Sequence, residues 1–177
     1  MRLPGDPSPR QTVGRTIRVD HAGEYGAVRI YTGQLAVLGR GEHGPVLRHM
    51  LAQEQRHLAA FEEMIATRRV RPTALLPLWH VAGFALGAVT AALGARAAMA
   101  CTVAVEEAID THYAAQMEQL EPDEAALHGT LAEFRAEELE HRDTALARGA
   151  EQAVGYRLLA GAIKTGCRMA IALSERL

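Results

Sequence analysis

The chain is short of aromatic residues, of cysteine and of net charge, and each shortage narrows the range of functions. Phe, Trp and Tyr together make up 5% of its 177 residues. Ala, Leu and Glu are frequent instead, a balance that favours helix over sheet, and no strand pattern of any length is visible. Cys101 and Cys167 lack zinc-type spacing, so they read as a reduced thiol pair and not as a disulfide framework. A formal net charge of -2 gives no electrostatic basis for a nucleic-acid partner. The first twenty residues carry Arg2, Arg10, Arg15 and Arg18 but no apolar run, so neither a secretory signal nor a transit peptide is read there. The Gly-x-Gly-x-x-Gly fingerprint of a dinucleotide fold is also missing.

What is present suits one helical domain. With 49% apolar and 23% charged residues, the chain can bury a substantial core. Residues 1–14 hold three prolines and two glycines and read as a flexible lead to a single domain over 15–177. Apolar periodicity with Gly and Pro punctuation predicts bundle helices over 15–38, 45–69, 95–120 and 122–148, and a closing helix over 154–173. The fold class is therefore all-α.

Between Arg71 and Arg96 lie 24 residues without Asp, Glu, Lys or Arg. The segment 72–95 passes the length test for a membrane span, but Pro77 interrupts its start and Ala and Gly dilute its hydrophobicity. Arg68, Arg69 and Arg71 precede Leu75, Leu76, Leu78, Trp79 and Phe84, an order that suits a segment lying in a membrane interface. The other reading is a helix packed inside the protein, with Gly83 and Gly87 allowing close contact.

The chemistry lies in two Glu-x-x-His steps 84 residues apart, Glu54 to His57 and Glu138 to His141. With 16 glutamates and 8 histidines in the chain, random placement gives roughly 0.7 such steps, so two alone decide little. Each, however, has a glutamate at matched distance upstream: Glu24 stands 30 before Glu54, and Glu106 stands 32 before Glu138. One Glu from each of two helices and a Glu-x-x-His from each of two others is the ligand inventory of a carboxylate-bridged di-metal site in a four-helix bundle. Positions i and i+3 share a helix face, so each Glu and His can meet one ion. Four carboxylates in a core would repel one another, and two dications balance them. Carboxylate and imidazole ligands with open positions suit ferrous iron that takes up oxygen, and each histidine should give its other ring nitrogen to a neighbouring acceptor. Pattern alone leaves Glu106 and Glu107 ambiguous. Glu106 is preferred because Cys101, Thr102, Val105, Ile109 and Tyr113 form an apolar stripe around it. Tyr113 reads equally as core packing, and His112, off that line, reads on spacing as exposed.

Five stretches stand out: Arg18-Val-Asp-His-Ala-Gly-Glu-Tyr-Gly-Ala27, Glu54-Gln-Arg-His57, Cys101-Thr-Val-Ala-Val-Glu106-Glu with His112-Tyr113, Phe134-Arg-Ala-Glu-Glu138-Leu-Glu-His141, and the closing run Gly166 to Leu177. Together they resemble the demethoxyubiquinone hydroxylase family of the ferritin-like superfamily. The likeness covers 15–177. It implies a ferritin-like four-helix bundle with an added apolar membrane-interface segment and a C-terminal helix. It also implies two iron ions held by Glu24, Glu54, His57, Glu106, Glu138 and His141. Glu54 and His57 would serve one iron and Glu138 and His141 the other, with Glu24 or Glu106 or both bridging. His112 and Tyr113 fall where the family places residues that handle quinone or electrons, and Asp20 and His21 lie one turn before Glu24.

The implied reaction is hydroxylation of a polyprenyl demethoxyquinol in ubiquinone synthesis. One atom of O2 enters the ring and the other leaves as water, with NADH as transient electron donor. The resemblance further implies a bacterial-type chain without a leader, peripheral on the cytoplasmic face of the cell membrane. It leaves room for a homo-oligomer or an accessory ubiquinone-synthesis protein. Two other readings stay open: a different ferritin-like activity, such as iron oxidation and storage or hydroxylation of a soluble substrate, and a non-enzymatic lipid-binding scaffold.

Overall fold

The computed structural model describes residues 7–177. Within them six α-helices and two short 3-10 turns follow one another, with no strand among the described residues: α1 (Pro9–Leu38), α2 (Gly44–Arg68), α3 (Leu76–Ala92), α4 (Ala95–Met117), α5 (Ala125–Ala147) and α6 (Tyr156–Ser174). The architecture is the expected all-α one.

Helix α1 opens earlier than the flexible lead would allow. Ser8 accepts from the backbone N–H of Gln11 at 3.3 Å, and the Gln11 side chain accepts from the Ser8 N–H at 2.8 Å, a reciprocal capping box with Pro9 in the first turn. Residues 9–14 are therefore helical, and Val13 is buried. Pro7 and the capping Ser8 precede the helix, and residues 1–6 of the lead lie outside the described residues. Helix α2 stops where Arg69 adopts the left-handed conformation at φ 53°, three residues before Pro72.

Core residues give the direction of each bundle helix. One apolar cluster holds Ile17, Phe61, Tyr113, Leu127, Leu131 and Phe134, and another holds Tyr31, Leu47, Met50, Met99, Val103 and Ala145. Helices α1 and α5 run from the first cluster to the second, and α2 and α4 run the opposite way. Consecutive α2 and α4 thus point in the same direction, which requires one long crossover, as in ferritin-like bundles. Helix α3 is that crossover.

It lies along α1, and the contact is set by glycines. A Cβ on Gly87 would fall 2.0 Å from the Ile30 carbonyl oxygen, one on Gly83 2.9 Å from that of Gly26, and one on Gly33 2.3 Å from that of Phe84. The pairs 26–83 and 30–87 advance together, so the two helices are parallel and nearly touch backbones. Helix α6 lies along α4, but without glycine contacts of that kind. Its end is tied back by the Ala74 N–H to the Leu177 carbonyl at 3.2 Å and by Arg18 to the Glu175 carbonyl at 3.3 Å.

The apolar segment is thus a helix with two faces. Its glycine face packs inward, and Leu78, Val81, Val89 and Leu93 are exposed on the other. No helix of the described residues is long and apolar enough to cross a membrane. Two details differ from the sequence reading. The Trp79 indole donates to Ser174 Oγ on α6 at 3.1 Å, so this polar handle is used inside the protein and not as an outward anchor. Among Leu75, Leu76, Leu78 and Phe84 only Leu78 is exposed, since Phe84 turns toward α1, where the Arg29 guanidinium lies 5.3 Å above its ring.

Candidate metal centre

Each bundle helix carries its share of the site midway between the two apolar clusters. Glu24 on α1, Glu54 and His57 on α2, Glu106 on α4, and Glu138 and His141 on α5 are all buried, none more than 1% exposed. The i, i+3 spacing puts each Glu and His of α2 and α5 on one face, and the apolar residues a turn away on either side turn that face inward.

The six side chains fall into two groups of four. Ligand-type atoms of Glu24, Glu54, His57 and Glu138 lie within 4.8 Å of one another, as do those of Glu54, Glu106, Glu138 and His141. Glu54 and Glu138 belong to both groups. The sharing positions are therefore on the Glu-x-x-His helices, while Glu24 and Glu106 each face one group, the reverse of the bridging arrangement expected from sequence. Both histidines present Nδ1 to the cluster. His57 Nδ1 lies 3.1 Å from Glu138 Oε1 and 3.4 Å from Glu24 Oε2. His141 Nδ1 lies 3.1 Å from Glu54 Oε1 and 3.2 Å from Glu138 Oε2.

These atoms converge without satisfying one another. Glu24 Oε2, both Glu54 oxygens, Glu106 Oε2, Glu138 Oε2 and His141 Nδ1 are buried and have no hydrogen-bond partner. Orphaned groups of this kind are costly in a core, and here they surround shared points, the arrangement that a pair of cations would satisfy. The electrostatics agree. Burial, with Glu138, Glu24 and Glu106 adding to it, pushes the Glu54 carboxyl well above its ordinary range. Glu106 rises too, through burial and the charge of Glu138, against the opposing Tyr31 hydrogen bond. Burial would also raise Glu138, but the His141 and His57 rings set against it hold it down to about 2. Burial opposes the charge on His57, yet its hydrogen bond with Glu138 and the Glu24 carboxylate beside it carry its pKa up to about 10. Left to itself, the cluster settles its charge with protons. Two divalent cations can replace them, and carboxylate with imidazole is a donor set that suits iron.

Glu107 stands outside the cluster and pairs with Lys164 on α6. Tyr113 is buried and its hydroxyl donates to Glu24 Oε1. His112 is not simply exposed: its side chain is 16% accessible, and Nε2 lies 2.8 Å from Gln116 Nε2. Burial lowers its pKa to about 4, so the ring is neutral at pH 7. Asp20 accepts from the same Gln116 amide at 2.8 Å. His21 is buried with Nδ1 unpartnered, and it joins neither group of four.

Four residues at the site were given no role in the sequence reading. Tyr31 donates to Glu106 Oε1 at 2.7 Å. It stands seven residues after Glu24, the same interval that links Glu106 to Tyr113, and that repeat was the available signal. Glu137 Oε2 lies 2.8 Å from His57 Nε2, and Gln53 Oε1 lies 3.0 Å from His141 Nε2. Each occupies the position just before a site glutamate. Phe134 stacks on the His57 ring at 3.9 Å between centroids.

Known proteins match nearly the whole chain. A family model described as ubiquinone biosynthesis protein COQ7 matches residues 11–174. A 3-demethoxyubiquinol 3-hydroxylase of Rhodospirillum rubrum is 62% identical over 176 residues, 99% of this chain and 83% of that protein. The NADPH-dependent 3-demethoxyubiquinone 3-hydroxylase of Homo sapiens mitochondria is 56% identical over 172 residues, 95% of this chain and 79% of that one. A mitochondrial 5-demethoxyubiquinone hydroxylase of Saccharomyces cerevisiae is 44% identical over 180 residues, 92% and 77% of the two. With this agreement over the helices that carry all six buried side chains, the chain belongs to the COQ7 family of ubiquinone biosynthesis proteins.

Proposed function

We propose that this chain hydroxylates the ring of a polyprenyl demethoxyquinol, using O2 and two iron ions held by Glu24, Glu54, His57, Glu106, Glu138 and His141. The observation that carries the reading is the convergence of four buried carboxylates and two imidazoles with six polar atoms left unpartnered. Bound iron would supply the activation of O2, and the remaining work falls to the chain. Glu54 and Glu138, common to both groups, hold the pair together. Tyr31 and Tyr113 fix the carboxylates of Glu106 and Glu24. The apolar clusters at either end keep bulk water from the centre. His112, neutral and half-buried beside Gln116, and Tyr113 handle substrate or electrons.

Electrons come from a reduced nicotinamide that visits and leaves. The sequence resemblance points to NADH, whereas the human relative is named for NADPH. The polyprenyl tail places the reaction at a membrane surface. Support comes from apolar side chains exposed on both outer helices, Leu78, Val81 and Val89 on α3 and Leu158, Met169 and Leu173 on α6. The chain sits peripherally on the cytoplasmic face.

The decisive experiment loads the protein anaerobically with ferrous iron, adds a short-tailed demethoxyquinol, O2 and either nicotinamide, and weighs the quinone product. Hydroxylated ring made by the native chain and lost in Glu54→Ala is the expected result. A preparation holding two irons that yields no hydroxylated ring with either donor would sink the proposal.

A further inference from the structure

The two halves of the site brace each other through side chains just ahead of the site glutamates. Helix α2 reads Gln53-Glu54-Gln-Arg56-His57, and α5 reads Glu137-Glu138-Leu-Glu-His141. Glu137 accepts from His57 Nε2 at 2.8 Å, and Gln53 accepts from His141 Nε2 at 3.0 Å, so each residue serves the histidine of the opposite helix. The two also meet, with Gln53 Nε2 donating to Glu137 Oε2 at 3.3 Å. The positions are equivalent but the chemistry is not. His57 faces a carboxylate, which Arg56 keeps charged through a 2.6 Å contact, while His141 faces a neutral amide.

We propose that Gln53 and Glu137 are reciprocal positioning residues, and that their difference makes the ion beside His57 the more tightly held and more electron-rich of the pair. The inference rests on the di-metal reading above. A charged acceptor on the outer nitrogen pulls the proton toward itself and raises the donor strength of the inner nitrogen, whereas an amide only orients the ring. Both acceptors fix the tautomer that leaves Nδ1 free for metal. A pseudo-symmetric site is thereby made unequal by one carboxylate in place of one amide.

The test follows ferrous binding without turnover. Anaerobic titration of the native chain should show two unequal steps, and Mössbauer spectra with iron-57 should show two resolved ferrous doublets. In Glu137→Gln both histidines face amides. The tighter step should weaken about tenfold or more, and the doublets should draw together with two ions still bound. The exchange Gln53→Glu with Glu137→Gln keeps one carboxylate, one amide and their mutual contact, so it should restore two unequal doublets. Should Glu137→Gln lose helicity, the exchange alone decides: a folded exchange chain with a single merged doublet overturns the proposal. Two ions bound in Glu137→Gln with steps and doublets as in the native chain would overturn it equally. A native chain that takes up no pair of ferrous ions would instead refute the di-metal reading, a separable outcome.

Discussion

The hydroxyl of Tyr31 on α1 stands 2.7 Å from Oε1 of Glu106 on α4 and donates to it. The counterpart runs the other way, from Tyr113 on α4 to Glu24 on α1. Each tyrosine lies two helical turns beyond one site glutamate and holds the other, so the two helices that contribute single carboxylates are locked in register.

Tyr31→Phe should separate stability from metal binding. It keeps the ring in its pocket and leaves the Glu106 oxygen without its donor, a loss of about 1–3 kcal/mol for a buried group. Thermal unfolding of the metal-free chain measures that. Ferrous affinity in the group containing His141 should fall about tenfold, the usual scale for a lost outer hydrogen bond. Tyr113→Phe should match it in binding. If kcat then falls much further for Tyr113→Phe than for Tyr31→Phe, Tyr113 handles electrons or substrate; equal falls would confine it to positioning.

Shared and unshared glutamates should give different stoichiometries. Glu138 stands in both groups of four and Glu106 in one. Metal analysis after anaerobic ferrous loading should find near zero iron per chain for Glu138→Ala and near one for Glu106→Ala. Equal loss in both variants would contradict the sharing pattern.

Spacing made much of this legible. The Glu-x-x-His steps and their upstream glutamates mark the helix faces because a face repeats every three or four residues, and no distant contact is needed to see it. How the six side chains divide into two groups was not legible, since it depends on how far each helix slides along its neighbour. The same holds for Trp79, whose partner Ser174 lies 95 residues away. The sequence offered inward packing through Gly83 and Gly87 and a membrane-facing segment as alternatives, and the helix combines glycines pressed against α1 with an apolar outer face. The start of α1 was misread because three prolines look like a loop until Ser8 and Gln11 are recognised as a cap.

Without metal, stability should decline as pH rises above about 6.5. Burial and neighbouring charge raise Glu54 and Glu106 well above the usual carboxyl range, and burial raises Asp20. Burial opposes the charge on His57, but Glu138 and Glu24 beside it lift its pKa to about 10. A raised folded-state pKa contributes stability that is full below the unfolded value and lost as pH climbs through the folded one. His112, lowered to about 4 by burial, acts oppositely, but only as pH falls from 6.5 toward 4. The metal-free melting temperature should therefore drop between pH 6.5 and 9. The stabilisation added by a divalent ion should grow over the same range, because protons compete for its ligands. A flat metal-free profile would contradict the assigned shifts.

Exposed apolar residues on the outer helices give a test of membrane contact that leaves the core alone. Val81 and Val89 on α3, with Leu158 and Met169 on α6, are each more than half exposed. Changing these four to Ser should alter the metal-free melting temperature little, because surface substitutions usually stay within about 0.5 kcal/mol each. Co-sedimentation with anionic phospholipid vesicles should fall several-fold. Unchanged vesicle binding would remove these helices from the proposed contact.

The parallel packing of α3 on α1 should be far less tolerant. A Cβ at Gly87 would sit 2.0 Å from the Ile30 carbonyl oxygen, and a backbone atom inside a helix cannot swing aside as a flexible side chain can. Gly87→Ala must therefore push α3 off α1, at about 1–3 kcal/mol or more for an overpacked contact. Gly23 supplies the control. It is exposed on α1, and a Cβ there meets nothing within 4 Å, so Gly23→Ala should gain about 0.5–1 kcal/mol of helix stability. Urea unfolding of both variants reads the contrast directly. If Gly87→Ala proved as harmless as Gly23→Ala, the backbone contact between α1 and α3 could not be what seats the crossover helix.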